Sequence, residues 1–174
     1  MSVSIRSETM PPRRDELGPL LDAYYSAGVA QLAQMGGPDI DPTDFKAEFW
    51  EEIADFLPPT GRFYTARNVD ATLLGYGTLR TIEGNVGELK RLYVSPAARG
   101  QGIGRQLIES RINAAREMGL KMLKADTWKN NAPMLTIYES LGFRRVELFA
   151  ESATFRLMPK VAPFMAFVQL DLRD

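Results

Sequence analysis

The sequence has 174 residues, 45% hydrophobic and 25% charged, the size and make-up of one globular domain spanning 1–174. A net charge of −1 argues against a nucleic-acid surface. The absence of cysteine and histidine excludes disulfides, thiolate metal sites, a cysteine nucleophile and the usual general base, so acid–base chemistry falls to Glu, Asp, Tyr, Lys or water.

The first ten residues lack the apolar core of a signal peptide, and no stretch reaches the apolar length of a membrane span. A soluble, cytoplasmic chain with no membrane partner is expected. Residues 3–6 alternate as a short edge strand, which Pro11 and Pro12 end. Residues 13–34 read as one long helix, with Leu17, Leu20, Leu21 and Tyr24 at helical spacing. Gly36, Gly37 and Pro38 stop it. Asp41 as N-cap and Pro42 at the first helical position open a second helix, striped by Phe45, Phe49, Ile53 and Phe56 or Leu57 and ended by Pro58 and Pro59.

Strands follow at 62–68 and 73–82, with turns at 70–72 and 83–85, so antiparallel hairpins are expected. Residues 89–94 form the next apolar run, stopped by Ser95 and Pro96. A helix at 105–118 turns Leu107, Ile108, Ile112, Ala115 and Met118 to one face and ends at Gly119. A strand at 121–128 makes a βαβ crossover, which predicts that 89–94 and 122–127 lie close and parallel. Asn131 and Pro133 open a helix carrying Leu135, Tyr138 and Leu141 and ending at Gly142. Strands at 143–149 and 164–172 close the chain around a long loop at 150–163.

The stretch 88–104 reads ELKRLYVSPAARGQGIG, so Gly100, Gly102 and Gly104 stand at the mouth of a helix. Glycine lets backbone approach a ligand, and a helix N-terminus offers orphan N–H donors and partial positive charge, a site for phosphate. The spacing fits neither a dinucleotide fingerprint, since the third position counted from Gly100 is Arg105, nor a nucleotide P-loop. It does fit R-x-x-G-x-G through Arg99, Gly102 and Gly104. Taken alone, this is equally a flexible strand-to-helix junction.

One strand later comes N-x6-Y-x-x-x-G-F, through Asn131, Tyr138, Gly142 and Phe143. With these two motifs in this order, the chain resembles the GNAT superfamily of acyl-CoA-dependent N-acetyltransferases, most specifically over 88–119 and 131–143. Met134, where the family carries a small residue four before the tyrosine, is a mild departure. The resemblance implies an α/β (α+β) fold: a mixed, mostly antiparallel sheet of about six to seven strands with a splayed parallel pair, flanked by about four helices. It implies acetyl-CoA as acyl donor, no metal, and a small-molecule or peptide amine as acceptor, and it leaves a homodimer open. Leu92, Tyr93 and Val94 would offer backbone groups to the pantetheine arm. Arg99, Gly100, Gln101, Gly102, Ile103, Gly104 and Arg105 would hold the pyrophosphate, Asn131 would contact the pantetheine, and Tyr138 would lie near the thioester sulfur. Glu88 stands where several members carry a catalytic glutamate.

Plainer readings stand beside these. Asn131 serves equally as a helix cap, and Tyr138 shares a helical face with Leu135 and Leu141. Glu88 alternates in phase with Leu92 and Val94, which read as buried, so a strand bulge would be needed to re-aim it. An alkylamine of pKa ~10.4 is neutral in about one molecule in 2,500 at pH 7, and a carboxylate near 4.3 is too weak a base by about six units, roughly 8 kcal/mol. Glu88 would therefore need a raised pKa or a water chain. The family places the acceptor past the loops at 35–42 and 150–163, where Asp39, Asp41 and Glu151 offer charge and Phe155, Leu157 and Met158 an apolar wall. The rival readings are a non-catalytic acyl-CoA sensor and a nucleotide-phosphate or RNA binder using Arg99 and Arg105.

Overall fold

The computed structural model describes residues 2–149, 152, 154, 156 and 158–173. Seven strands form one sheet in the order β1-β2-β3-β4-β5-β7-β6. They are β1 (Val3–Glu8), β2 (Gly61–Asn68), β3 (Leu73–Glu83), β4 (Val86–Val94), β5 (Met122–Trp128), β6 (Arg144–Val146) and β7 (Met165–Asp171). Every pairing is antiparallel except β4 with β5. The mixed sheet with one parallel pair is the expected architecture.

Helices cover the two faces: α1 (Arg14–Gln34) and α2 (Thr43–Glu51) on one, α3 (Ile103–Glu117) and α4 (Ala132–Ser140) on the other. Alternation along the strands feeds two cores. Phe63, Tyr76 and Tyr93 meet Leu17 and Leu21 of α1 and Phe49 of α2. Leu79, Leu89, Leu123 and Ala125 meet Ile108 and Ile112 of α3 and Leu135 and Tyr138 of α4.

Several expected boundaries shift. The second helix ends at Glu51 and gives way to a 3₁₀ turn, Ile53–Phe56, which stacks the Phe56 ring 6.0 Å from Phe49. Pro42 is its N-cap residue, yet the capping chemistry comes from Asp41, whose carboxylate accepts from Thr43 N at 2.9 Å and Thr43 Oγ1 at 2.6 Å. β4 begins at Val86 rather than Leu89, because Glu83 pairs with Val86 across a tight turn with Gly84 at φ +50°. α3 begins at Ile103, two residues early. β6 stops at Val146 instead of running to Phe149, whose ring packs edge-on against Phe167, 5.5 Å away. The loop at 150–163 carries a 3₁₀ turn at its end, Pro159–Phe164.

Candidate functional site

β4 and β5 pair only from Val86↔Met122 to Leu89↔Ala125. Beyond that they separate, which leaves a cleft between the C-terminal ends of two parallel strands. The cause lies in β4. Two steps along β3, from Tyr76 to Thr78, span three along β4, from Tyr93 to Lys90. The extra residue is a bulge at Arg91, with φ +50°.

That bulge reverses the phase of the strand. Leu89 lies against α3 and α4, yet so do Leu92 and Val94. Glu88 faces the α1/α2 side, where it pairs with Arg80, and Arg91 lies over the Phe49 and Phe56 rings at 5.2 Å each. Glu88 is thus on the opposite face from Leu92 and Val94. The sequence alternation put all three on one face, and a single inserted residue accounts for the difference.

At the mouth of the cleft, the glycine turn enters α3. Gly100 and Gly102 have φ of +76° and +75°, left-handed values that other residues adopt only at a cost. Gly102 is the α3 N-cap. Gly104 has no such φ, and a Cβ there would meet only Val94 Cγ2, at 4.0 Å. The protein itself therefore does not need a glycine at 104, while a molecule lying over the first turn of α3 would. Arg99 donates from Nε to Val94 O at 3.0 Å and sits 5.6 Å over the Tyr93 ring. Arg105 reaches across to α4, donating to Glu109 Oε1 at 2.9 Å and Ser140 Oγ at 2.8 Å. Gln101 is exposed and Ile103 is buried, so Ile103 has only its backbone to offer.

On the far side stands α4. Asn131 is its N-cap: Oδ1 accepts from Met134 N at 3.4 Å, and Nδ2 donates to Thr127 Oγ1 at 3.1 Å. Tyr138 is 4% exposed, with its ring 4.9 Å from Phe143. Burial pushes its phenol up to about 12, Arg111 opposes the rise and Asp126 adds to it. So Tyr138 is the phenol of that helix nearest the charges of the cleft and is also part of the core.

A chain of buried charges lines the α1/α2 side. Arg80 donates to Glu88 Oε2 from Nε at 2.9 Å and lies 3.4 Å from Glu52. Lys90 Nζ lies 3.7 Å from Glu88 Oε1 and donates to Asp126 at 3.3 Å and to Thr154 Oγ1 at 3.0 Å. Ser152 Oγ donates to Asp126 Oδ2 at 2.7 Å. Glu88 is fully buried. Sequence reasoning did not single out Arg80, Lys90 or Asp126. Each is an unremarkable charge on a strand until the splay and the bulge turn them toward one another.

Of the residues expected to meet an acceptor, Asp39 is exposed, Asp41 is engaged as a cap, and Met158 is half-buried. Glu151, Phe155 and Leu157 lie outside the described residues. A shallow cavity of about 350 Å³, lined by Lys129, Arg145 and Phe167 among others, lies on the β6–β7 edge and contains none of the expected site residues. Among the described residues, no helix is long and apolar enough to cross a membrane, and no cluster of side chains is suited to hold a metal.

Residues 27–143 match the acetyltransferase (GNAT) family. An uncharacterized N-acetyltransferase of Schizosaccharomyces pombe is 27% identical over 147 residues, 84% of this chain and 85% of that one. A mycothiol acetyltransferase of Thermomonospora curvata is 34% identical over 143 residues, 82% of this chain and 44% of its own length. Among solved structures, an acetyltransferase of the GNAT family from Staphylococcus aureus Mu50 superimposes with a TM-score of 0.73 at 21% identity, covering 99% of this chain and all of the other. A Bacillus subtilis acetyltransferase in complex with CoA gives 0.68 at 23% identity, covering 98% and 100%. At these identities the solved structures speak to the fold.

Proposed function

The chain belongs to the acetyltransferase (GNAT) family, and we propose on that footing that it transfers an acetyl group from acetyl-CoA to a primary amine by direct attack within a ternary complex. The observation that carries this reading is the splay of β4 from β5 beyond Leu89 and Ala125, with the glycine turn at one end and Tyr138 near the other. The open space over Gly104 supports a bound group that approaches the backbone there.

In this reading, backbone N–H groups at the start of α3 bind the pyrophosphate, helped by the helix dipole. Arg99 and Arg105 add charge, each already oriented by a hydrogen bond of its own. Strand backbone at Leu92, Tyr93 and Val94 holds the pantetheine arm, and an N–H of this segment meets the developing oxyanion. When bound, the thioester supplies an activated acyl carbon. Tyr138 carries its proton at neutral pH, as an ordinary phenol does, and burial pushes the phenol up to about 12. It then acts as a hydrogen-bond donor to the departing sulfur, with proton transfer coupled to C–S cleavage. A phenol at about 12 is a weaker acid than a thiol near 8.5, so it would not protonate the free thiolate outright.

The amine must lose a proton before it attacks. Glu88 is enclosed by Arg80 and Lys90, which favour its charged form, so the amine's proton would leave outward through a water chain, without Glu88 touching the amine. The exposed carboxylate of Asp39, if it lies on the acceptor's path, would favour a cationic acceptor.

A panel of amines incubated with acetyl-CoA, with free thiol followed over time, tests the reading. Amine-dependent thiol release supports it. Saturable coenzyme binding without release would instead favour the non-catalytic sensor, and no binding at all would overturn both.

A further inference from the structure

α3 carries a cation at the centre of its buried face. Arg111 is 0% exposed, and among the described residues no carboxylate pairs with it. Its Nε donates to Leu107 O of its own helix at 3.0 Å. Its Nη1 donates to Thr78 O on β3 at 3.0 Å and to Lys90 O on β4 at 3.4 Å. Among the described residues, Nη2 has no hydrogen-bond partner. Thr78 Oγ1 donates to the same Lys90 carbonyl at 2.9 Å. Two side chains thus converge on the last carbonyl before Arg91, the residue with positive φ.

β3 makes room for this contact. A Cβ at Gly77 would lie 3.0 Å from Arg111 Cζ and 3.1 Å from Nε. Burying a cation without a counter-ion is costly, and an apolar side chain would pack the same space. Packing alone therefore gives no reason for an arginine here. A bulge does give one, because it removes a carbonyl from the regular ladder and leaves it needing a donor.

We propose that Arg111 is a positioning residue for the acyl-CoA strand. By holding the carbonyls of Thr78 and Lys90, it fixes the β4 bulge that turns Leu92 and Val94 to one face and Glu88 to the other. This rests on the acetyltransferase reading of the cleft. The guanidinium also bears on Tyr138, whose phenol it makes more acidic, against the effects of burial and of Asp126.

The test compares Arg111→Met, Arg111→Lys and Gly77→Ala with the core control Leu120→Ala, whose side chain is buried in the same apolar cluster. Three quantities are read: backbone amide exchange at residues 90–94, the Kd for coenzyme A, and kcat and KM with acetyl-CoA. Arg111→Met is expected to speed exchange at 91–94 and to raise the Kd, each about tenfold. Arg111→Lys keeps a charged donor but cannot span both carbonyls, and recovers part of each effect. Gly77→Ala crowds the guanidinium, and also Leu92 Cδ1 at 3.2 Å from the new Cβ, so it repeats the pattern as a supporting variant beside Arg111→Met and Arg111→Lys. Leu120→Ala lowers the melting temperature without either change.

Variants that melt early but keep the wild-type exchange pattern and Kd would overturn the proposal. So would failure of all three to fold, which would make Arg111 an ordinary structural brace. If the wild-type chain binds no coenzyme A, the functional reading fails, while the exchange data still judge the bulge.

Discussion

Tyr138 and Glu88 are both buried residues of the cleft, and their surroundings give them different chemistry. For Tyr138, burial outweighs the nearby guanidinium of Arg111 and pushes the phenol up to about 12. Replacing it with phenylalanine removes only the hydroxyl. Steady-state kinetics should show kcat lowered about 100-fold, while calorimetry shows coenzyme A still bound; unchanged turnover would remove Tyr138 from the mechanism. The same burial has a stability consequence. In the unfolded chain this phenol ionises near pH 10, whereas in the fold it holds its proton to about 12. Its contribution is therefore complete below about pH 10 and is lost as the pH rises toward 12. Denaturant midpoints should fall over that window less in Tyr138→Phe than in the wild type. Glu88 behaves as the buried half of an ion pair with Arg80. Glu88→Gln leaves that guanidinium short of charge and should cost about 3 kcal/mol in denaturant unfolding. The sequence carried the identity of Glu88 but not its direction: one inserted residue at Arg91 reverses the alternation, and a bulge of this kind has no residue signature here. Arg111 had a signal. It stands four residues from both Leu107 and Ala115, in the middle of the apolar stripe of α3, where a charge conflicts with the pattern.

The turn into α3 separates two uses of glycine. Gly102 needs its left-handed backbone, so Gly102→Ala should cost about 1 kcal/mol in stability. Gly104 sits in the first turn of the helix with ordinary φ and open space around a modest side chain. Gly104→Ala should leave stability within about 0.5 kcal/mol or improve it, and yet weaken coenzyme A binding as measured by calorimetry. Equal affinity in that variant would mean that nothing lies over the turn. α4 shows that one side chain can have both a structural and a binding reading. Asn131 caps the helix through Met134 N, so Asn131→Ala should cost about 1 kcal/mol whatever it does for a ligand. Elements with strong punctuation were legible: α1, α3 and α4 begin or end beside a proline, a glycine or an asparagine whose chemistry is local. Two of the misplaced ends, at β6 and after α2, are where tertiary contacts decide. Phe149 leaves the ladder to pack on Phe167, and Phe56 turns to stack on Phe49.

Over the whole molecule, one sheet is shared by two cores, and the proposed coenzyme cleft lies at the seam between its halves. β1 to β4 form an antiparallel run, β5 to β7 a second group, and the only parallel contact joins them for four residue pairs. The order of elements and the two motifs made this architecture legible. The buried charge cluster of Arg80, Glu88, Lys90 and Asp126 was not legible, because it draws on residues far apart in sequence that meet only across neighbouring strands. Titration of the labelled chain with coenzyme A, followed by backbone amide shifts, tests the account most directly. Changes concentrated at 92–94, 99–105, 131 and 138 are predicted, with β1 and the β6–β7 edge undisturbed. Changes confined to the cavity beside Lys129 and Phe167, or none at saturating coenzyme A, would contradict it.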